Sequence, residues 1–397
     1  MFFASAARAQ PPVDPLPSPP LPPPAAPDES RPPPSSRYDV RASSDIAGYA
    51  DTDHVFVFTP SISGTVSNPS AGWTIGGHYL VDVVSAASVD IVSTASRRWE
   101  EVRQAGALDA TKQFGSYSAT VSGTVSVEPD YTSLAGGLVL TKDLLEKNLT
   151  LLAGYEHGHD VAGRSGTPFS VFSHTIDHDA LKTGLTLVLD RATIATGIVE
   201  VDFEQGDSSK PYRYVPLFTP GTSVPVGASI DTVNQVRAPE RVLEQLPTSR
   251  NRYALTLRLA HRFSGSTLRV EERAYDDTWG LFASTTDARY IIDVGKRFEI
   301  GPHGRIHGQT PVDFWQRAYL ILPGLNFPSL RTGDRELGPL WNYTGGAAAR
   351  VGLGPAYEPM QWALGFDFNA TYTRYIDDLY VTWRVSTIGS ISLEGRF

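Results

Sequence analysis

Hydrophobic and polar residues alternate along most of this chain. In Ser116–Val127, every even position is Ser or Thr, while the odd positions are apolar residues, a tyrosine and a glycine. Successive side chains of a β-strand point to opposite faces, so this pattern predicts a strand with one apolar and one polar face. Helical spacing is nearly absent, and "RVLEQL" (241–246) is the one short helical candidate.

The chain ends on the same alternation. Counting back from Phe397 through "STIGSISLEGRF", apolar or small residues occupy almost every second position as far as Leu379. We therefore expect a final strand over 379–397, far longer than the roughly five or six residues of an ordinary strand. A strand of this length is suited to crossing a membrane.

Similar segments recur through the chain. We predict sixteen strands, beginning near residues 38, 54, 72, 100, 115, 131, 148, 175, 193, 250, 266, 285, 303, 341, 359 and 379. The connections alternate in length. Tight turns are predicted at 67–72, 142–148, 189–192, 263–266, 299–304 and 354–359, and longer loops near 85–99, 160–174, 206–249 and 322–340. If both chain ends lie on one side, all these tight turns share that side and the long loops lie on the other.

These observations predict an all-β fold, a transmembrane antiparallel outer-membrane β-barrel of about 16 strands. A soluble β-sandwich also alternates, but its strands are short and its outward face carries the charge. In lipid, every backbone group must be hydrogen-bonded within the protein, so a membrane-spanning sheet has to close on itself. Aromatic residues near predicted strand ends would form the interfacial girdles; these are Trp73, Tyr253, Phe263, Trp341, Tyr343, Trp362 and Trp383.

The N-terminal region differs from the rest of the chain. Residues 1–9 resemble the end of a signal peptide, because Ala7-Arg8-Ala9 fits the small-x-small cleavage pattern. Proline dominates residues 10–37, which predicts an extended, disordered periplasmic spacer. Residues 38–397 then form the barrel, with both termini in the periplasm.

Composition narrows the function. The net charge of −9 argues against a nucleic-acid-binding protein, which would carry a basic surface. The chain has no cysteine, so neither a disulfide nor a thiolate zinc site can form. No apolar stretch is long enough for a transmembrane helix.

Three short motifs and the chain ending carry a resemblance. "VDVVSAAS" (81–88), "EVRQ" (101–104) and "EPDY" (128–131), together with the terminal Phe397, resemble a large bacterial family of uncharacterised outer-membrane proteins. The resemblance covers roughly residues 38–397. It implies a barrel in the outer membrane of Gram-negative bacteria, where Phe397 would serve the barrel-assembly machinery and the exterior would face lipid and lipopolysaccharide. It supplies no catalytic or binding residues.

A cluster of histidines is the strongest candidate for a metal-binding or catalytic site. "EHGHD" (156–160) and "SHTIDHD" (173–179) contain four of the nine histidines, namely His157, His159, His174 and His178. Imidazole and carboxylate groups suit a divalent transition metal, and Ser173, His174, Asp177 and His178 offer the residue types of a hydrolase. The alternative is a polar, hydrated barrel rim without chemistry. We expect no cofactor and no enzymatic activity, with an outer-membrane hydrolase or a metal-binding barrel that uses these four histidines as lesser alternatives.

Carboxylates also occur at a predicted turn on the long-loop side. Glu128 and Asp130 can take a calcium ion or bridge cations of lipopolysaccharide. A turn built by Pro129 and Asp130 is the simpler interpretation.

The inward faces of the predicted strands differ along the chain. The first half offers mainly Ser, Thr and Gly, with Asp82, Glu200 and Asp202 as acids. The second half offers the charged residues expected to line the lumen: Arg252, Arg258, Arg262, Arg269, Glu271, Arg273, Arg289, Asp293, Arg297, Asp367, Arg384, Glu394 and Arg396. Such residues either set up a transverse field across water or pair with one another and close the lumen.

We therefore expect a porin-like channel or transporter for small polar solutes. The alternative is a structural or surface-binding barrel with a closed lumen. The longest connection, 206–249, interleaves aromatic and apolar residues with Pro and Arg, which is a poor composition for a solvated loop. We expect this loop to fold over or into the extracellular opening and narrow it.

Overall fold

The computed structural model describes residues 38–86, 99–209, 213–321, 327–354 and 361–397. The predicted signal segment and proline-rich spacer lie outside these residues. The described chain is almost entirely β-structure, and none of its helices is long and apolar enough to cross a membrane.

The described residues form nineteen strands, one α-helix and two short 3-10 turns. The strands are β1 (Asp39–Asp51), β2 (Phe56–Asn68), β3 (Trp73–Ala86), β4 (Trp99–Phe114), β5 (Tyr117–Glu128), β6 (Tyr131–Leu144), β7 (Leu149–Ala162), β8 (His174–Val188), β9 (Thr193–Gly206), β10 (Tyr214–Phe218), β11 (Arg241–Leu243), β12 (Ser249–Arg262), β13 (Ser266–Asp277), β14 (Phe282–Val294), β15 (Phe298–Gln309), β16 (Tyr319–Leu320), β17 (Leu340–Leu353), β18 (Gln361–Tyr375) and β19 (Trp383–Arg396). The helix is α1 (Ile230–Val236), and the 3-10 turns are Leu145–Lys147 and Arg335–Leu337.

Sixteen of the strands form a closed antiparallel barrel, which confirms the predicted fold class. Chain neighbours pair with each other, except that β9 pairs with β12 and β15 with β17. The barrel closes where β1 pairs with β19, from Arg41 opposite Arg396 to Asp51 opposite Ser386. Phe397 extends this seam, because its amide donates to Val40 O at 2.8 Å and its carbonyl accepts from Val40 N at 3.2 Å.

Alternation gives the wall two different faces. One face carries large exposed apolar side chains at every second position, such as Leu255, Leu257 and Leu259 on β12. The other face carries most of the charged residues of the strands. Side chains converge on the concave side of a closed sheet, and here Arg273 of β13 reaches Glu200 of β9, two strands away, at 2.6 Å. The charged face is therefore the interior, and the apolar face is the exterior.

The exterior has the form of a membrane-spanning belt. Exposed aromatic residues border it at two levels: Phe263 and Trp362 at the end that holds both termini, and Tyr253, Trp341 and Trp383 at the other end. Between them the exposed residues are largely Leu, Ile, Val and Phe. An apolar band between aromatic girdles is the exterior of an outer-membrane barrel.

The two ends of the barrel differ as predicted. The turn end carries both termini and the connections after β2, β4, β6, β8, β12, β14 and β17. The loop end carries the connections after β3, β7, β9 and β15, which are the long ones. The "EPDY" turn between β5 and β6 also lies at the loop end, as expected.

Three local predictions were wrong. Residues 299–304 lie inside β15, and the turn is at 295–297, so Arg297 belongs to the turn rather than to the inward face. Residues 241–243 form a strand, because they pair with β10, and the helix is 230–236. The last strand begins at Trp383, because Leu379 is buried among residues of the loop end.

The assignment of the two faces predicts opposite effects for neighbouring substitutions. Ile391 lies on the exterior of β19 and is 56% exposed, whereas Ser390 faces inward opposite Asp367. Ile391→Arg places a charge in the apolar belt, at a cost of about 2–4 kcal/mol at the middle of a bilayer. Ser390→Arg should cost much less. Urea unfolding in lipid vesicles measures both, and equal destabilisation would contradict the assignment.

Candidate functional site

The interior wall is divided into two chemically different arcs. The hydroxyl arc, on the inward faces of β2–β5, carries regular rows of Ser and Thr on β2 and β5: Thr59, Ser61, Ser63, Thr65, Ser67, Ser118, Thr120, Ser122, Thr124 and Ser126. The arginine arc, on the inward faces of β12–β15, carries Arg250, Arg252, Arg258, Arg262, Arg269, Arg273, Arg289 and Arg305. The two arcs face each other across the lumen.

Twelve of the thirteen charged residues predicted to line the lumen lie on the inward faces, and Arg297 is the exception. Eight of the twelve lie on the strands of the arginine arc, and Asp367, Arg384, Glu394 and Arg396 lie on β18 and β19. His303, Arg305 and Asp287 also belong to this wall. The prediction omitted all three, and it had placed His303 in a turn at 299–304.

Most arginines of the arginine arc are matched by a carboxylate. Arg252 Nη2 lies 2.8 Å from Glu204 Oε2, and Arg258 Nη2 lies 2.5 Å from Glu271 Oε2. Arg273 pairs with Glu200, and Arg262 pairs with Asp293. These pairs stiffen the wall, and they leave few of its cations available to a solute.

Loop-end segments build a compact cap, which we define as residues 207–209, 213–248, 310–321, 327–339 and 376–382. Its sheet has the order β11-β10-β16, so strands from two distant connections combine. Apolar residues bury its core in two clusters: Val215, Leu217, Ala238 and Tyr319 form one, and Phe218, Ala228, Val233 and Leu379 form the other. The apolar and aromatic residues of the 206–249 connection are thus satisfied by packing within the cap. Burial raises the pKa of Tyr319 to about 12, in keeping with its position in this core.

One segment of the cap enters the mouth of the barrel. The backbone oxygens of Glu336 and Gly338 each accept a hydrogen bond of 2.8 Å from the inward-facing Gln309 Nε2. Glu336 Oε1 also lies 3.1 Å from Tyr375 Oη and 3.3 Å from Arg384 Nη1, both on inward faces. The segment that reaches inside the rim is therefore 335–338, from the connection after β15. The 206–249 connection, which we expected to fold over or into the opening, contributes β10, α1 and β11 to the cap, next to the 335–338 segment.

A buried ion pair also fastens the cap to the turn between β1 and β2. Arg335 Nη1 lies 2.6 Å from Oδ2 of Asp53, in the turn between β1 and β2, and both side chains are less than one-tenth exposed. Burial raises the pKa of the Asp53 carboxyl, while Arg335 opposes the shift by favouring the charged form. The pair joins parts of the chain that are 282 residues apart.

The four histidines of the predicted cluster do not converge. His157 and His159 point outward on β7, where their Nδ1 atoms lie 2.9 Å and 2.6 Å from the carboxylates of Asp179 and Asp177. His174 and His178 have the opposite parity on β8 and face inward. One pair lies outside the wall and the other inside, so the four cannot bind one metal ion.

The same register separates the residues considered for a hydrolase. Asp177 faces outward with His159, whereas His178 faces inward and lies 4.0 Å from the fully buried Asp160. Asp160 instead accepts a hydrogen bond of 2.6 Å from Tyr131 Oη. Asp177 and the two histidines considered for a hydrolase, His174 and His178, are therefore on opposite faces.

The acidic turn gains a third carboxylate. Glu101, Glu128 and Asp130 each place an oxygen within 4.8 Å of the others. They form the only such group of metal-ligating side chains in the described part of the chain. None of these three side chains is without a partner, so the cluster is not assigned as a cation site.

The chain is similar to one protein family and to several solved barrel structures. The model of a family described as "Protein of unknown function (DUF3570)" matches residues 174–368, from β8 into β18. This confirms the resemblance to a barrel family of unknown function, over a region that lies after the three motifs quoted for it. No curated protein sequence matches the chain.

The similar solved structures are outer-membrane proteins of low identity. A bacterial polysaccharide outer membrane secretin is 7% identical with a TM-score of 0.44, and 91% of this chain and 98% of that chain are covered. The TodX monoaromatic hydrocarbon channel, as a deltaS2S3 mutant, is 10% identical at 0.39, with 91% and 90% covered. Pseudomonas aeruginosa OccK5 is 8% identical at 0.38, with 91% and 98% covered. Scores this low carry no argument about function.

The ion pair between cap and barrel makes a pH-dependent prediction. Arg335→Gln leaves the buried Asp53 carboxylate without its cation, which costs about 3–5 kcal/mol of cap docking near neutral pH. Loss of the cation raises the pKa of Asp53 further, so the carboxyl takes up a proton more readily. An acid with a raised pKa in the docked state favours docking at low pH, and this contribution is lost as the pH rises. The defect should therefore shrink in acid.

Hydrogen exchange of the cap amides measures this effect. The double variant Asp53→Asn, Arg335→Gln is the control, because it removes both charges and should recover much of the protection at neutral pH. A defect of equal size in acidic and neutral buffer, or no recovery in the double variant, would contradict the interpretation.

Proposed function

We propose that this protein is a channel or transporter for small polar solutes in the outer membrane. The observation that carries the proposal is the interior wall, which is lined with charged and hydroxyl side chains inside a closed barrel of sixteen strands. Sixteen-stranded barrels are wide enough to leave an aqueous channel.

Exposure of inward-facing side chains supports a hydrated lumen. Arg350 and Glu394 face inward and pair at 3.1 Å, yet their side chains remain 50% and 44% exposed. Ile388 also faces inward and is 47% exposed. A lumen filled by its own side chains would bury these residues.

The arrangement of charge supports selection among polar solutes. The arginine arc and the hydroxyl arc face each other, so a solute crossing the lumen meets an arginine-rich wall on one side and a wall rich in hydroxyl groups on the other. Such a transverse field orients dipolar solutes and disfavours apolar ones.

The expected cellular arrangement follows from the barrel. Both termini would lie in the periplasm, at the turn end, and the cap would lie outside the cell. Residues 1–9 and 10–37 would act as signal remnant and periplasmic spacer. Phe397, at the seam between β1 and β19, would be recognised by the barrel-assembly machinery, and the apolar belt would contact lipid and lipopolysaccharide.

A second candidate is a structural or surface-binding barrel with a closed lumen. The cap favours this candidate, because it enters the mouth at 335–338 and is held there by buried ion pairs and hydrogen bonds. The two functions differ in whether the cap leaves a path beside it. Conduction distinguishes them directly.

Metal binding stays a lesser candidate, now with two histidines in place of four. The outward pair His157 and His159 keeps the required chemistry, because Asp179 and Asp177 can orient the rings through Nδ1 and leave Nε2 for a cation. We propose no enzymatic activity.

Removing part of the cap should widen the channel. We expect native protein in a planar bilayer to give discrete conductance steps, and deletion of residues 210–245 to increase their size because the cap loses two strands and its helix. The measurement is single-channel conductance, and faster migration of the unboiled protein on a gel verifies that the variant barrel is folded.

A matched deletion controls for loop shortening in general. Residues 165–171 lie in the connection between β7 and β8, at the same end but outside the cap, and their removal should leave the step size unchanged. A silent bilayer with folded native protein would favour the closed barrel. Unchanged steps after the cap deletion would show that the cap does not limit conduction.

A further inference from the structure

The arginine arc contains a place where its pairing fails. Arg269 of β13 and Arg289 of β14 are directly opposite each other in the register and both face inward. Like charges in a directly opposed pair destabilise a sheet, whereas elsewhere in the arc Arg258 lies opposite Glu271. The stability of the wall gives no reason for two arginines at this position.

Within the ranges that the structure describes, no carboxylate lies within hydrogen-bond distance of either guanidinium of this pair. Among the described residues, no hydrogen bond or ion pair reaches Arg269. The nearest approach of Arg289 to a carboxylate is 3.6 Å, from Nε to Asp287 Oδ1, and this buried Nε has no hydrogen-bond partner. Two adjacent cations thus keep donors available.

A third arginine extends the same patch. Arg305 of β15 lies opposite Asp287 in the register, but Asp287 is used by His303, whose Nε2 is 2.7 Å from Asp287 Oδ2. In the described part of the chain, Arg305 has no hydrogen bond or ion pair. Three neighbouring strands therefore present Arg269, Arg289 and Arg305 to the lumen with one shared carboxylate between them.

From this geometry we infer that Arg269, Arg289 and Arg305 form a binding site for small anions that carry a carboxylate or phosphate group. Guanidinium groups present parallel N–H donors that match the oxygen pairs of carboxylate and phosphate. A bound anion would relieve the repulsion between Arg269 and Arg289 more directly than Asp287, which approaches only Arg289, at 3.6 Å. The inference deepens the proposed function by naming anions as the preferred solutes. A role of this site in transport therefore rests on the proposed channel.

Neighbouring residues would tune this site rather than fill it. Glu271, beside Arg269 on the same face, is held by Arg258 at 2.5 Å and so points its charge toward another cation. His303 Nδ1 lies 2.8 Å from Asn369 Oδ1, which fixes its ring beside Asp287. The carboxylates nearest the patch are thus engaged, and an incoming anion meets guanidinium groups first.

Binding can be tested without any conduction. Purified full-length protein in detergent micelles is titrated with inorganic phosphate, and the affinity is measured by calorimetry. Arg269→Gln and Arg305→Gln should each weaken phosphate binding about tenfold or more, as expected for the loss of one hydrogen bond to a charged group. Migration of the unboiled protein on a gel shows that each variant is folded.

Arg41→Gln is the matched control. Arg41 also faces inward, and it is four strands from the patch; its partner Asp39 keeps Arg396 at 2.9 Å when Arg41 is removed. The change in net charge is the same as in the test variants, and phosphate binding should be unaffected. Absence of phosphate binding by the native protein, or equal weakening by Arg41→Gln and Arg269→Gln, would overturn the site.

Reversal potentials in a salt gradient separate this inference from the proposed function. A selective channel with this site should favour chloride over potassium and lose that preference in Arg269→Gln. If bilayers are silent but phosphate binding depends on Arg269, the channel fails and the site stands. If the native channel conducts but phosphate does not bind, the channel stands and the site is overturned.

Discussion

Closure of the sheet is the constraint on which the rest of this structure depends. In lipid an unpaired backbone group costs several kcal/mol, so the first and last strands have to meet. Here they meet along Arg41–Asp51 and Ser386–Arg396, and the mutual hydrogen bonds of Val40 and Phe397 complete the seam. The final phenylalanine of the chain is therefore part of the closure, and its ring packs edge-on against Trp362.

Once the sheet is closed, every side chain has to be either outside or inside. An arginine on the lipid-facing side of a barrel costs about 2–4 kcal/mol at mid-bilayer, so charge accumulates on the concave face, where water and carboxylates can compensate it. The concentration of arginines on β12–β15 follows from this asymmetry, and so does their pairing with Glu200, Glu204 and Glu271. The opposed Arg269 and Arg289 are the exception, and an exception to pairing in a charged wall indicates a ligand.

The alternation of the sequence was sufficient to predict all sixteen barrel strands, their two ends and most of the inward charged residues of the second half. It failed where the pairing of strands, rather than the local sequence, determines the secondary structure. Gly301, Pro302 and Gly304 are typical turn residues, yet they lie within β15, where pairing with β17 is continuous and pairing with β14 is interrupted at Pro302. The cap was equally hidden, because β10 pairs with β16, about a hundred residues later in the chain. One signal in the sequence was overlooked. His157 is two residues from the apolar, exterior Tyr155, which places its side chain on the outer face of the wall.

The central claim is that one wall separates lipid from water, and the absence of native cysteine makes it directly measurable. Single cysteines are placed at Ser122, which faces inward on β5, and at Val121, which is 57% exposed on the exterior. Protein in intact membranes is then treated with a charged, water-soluble thiol reagent. We predict rapid labelling at position 122 and none at 121. Protection of both positions would show a dry lumen, and labelling at 121 alone would reverse the faces; either result would contradict the account.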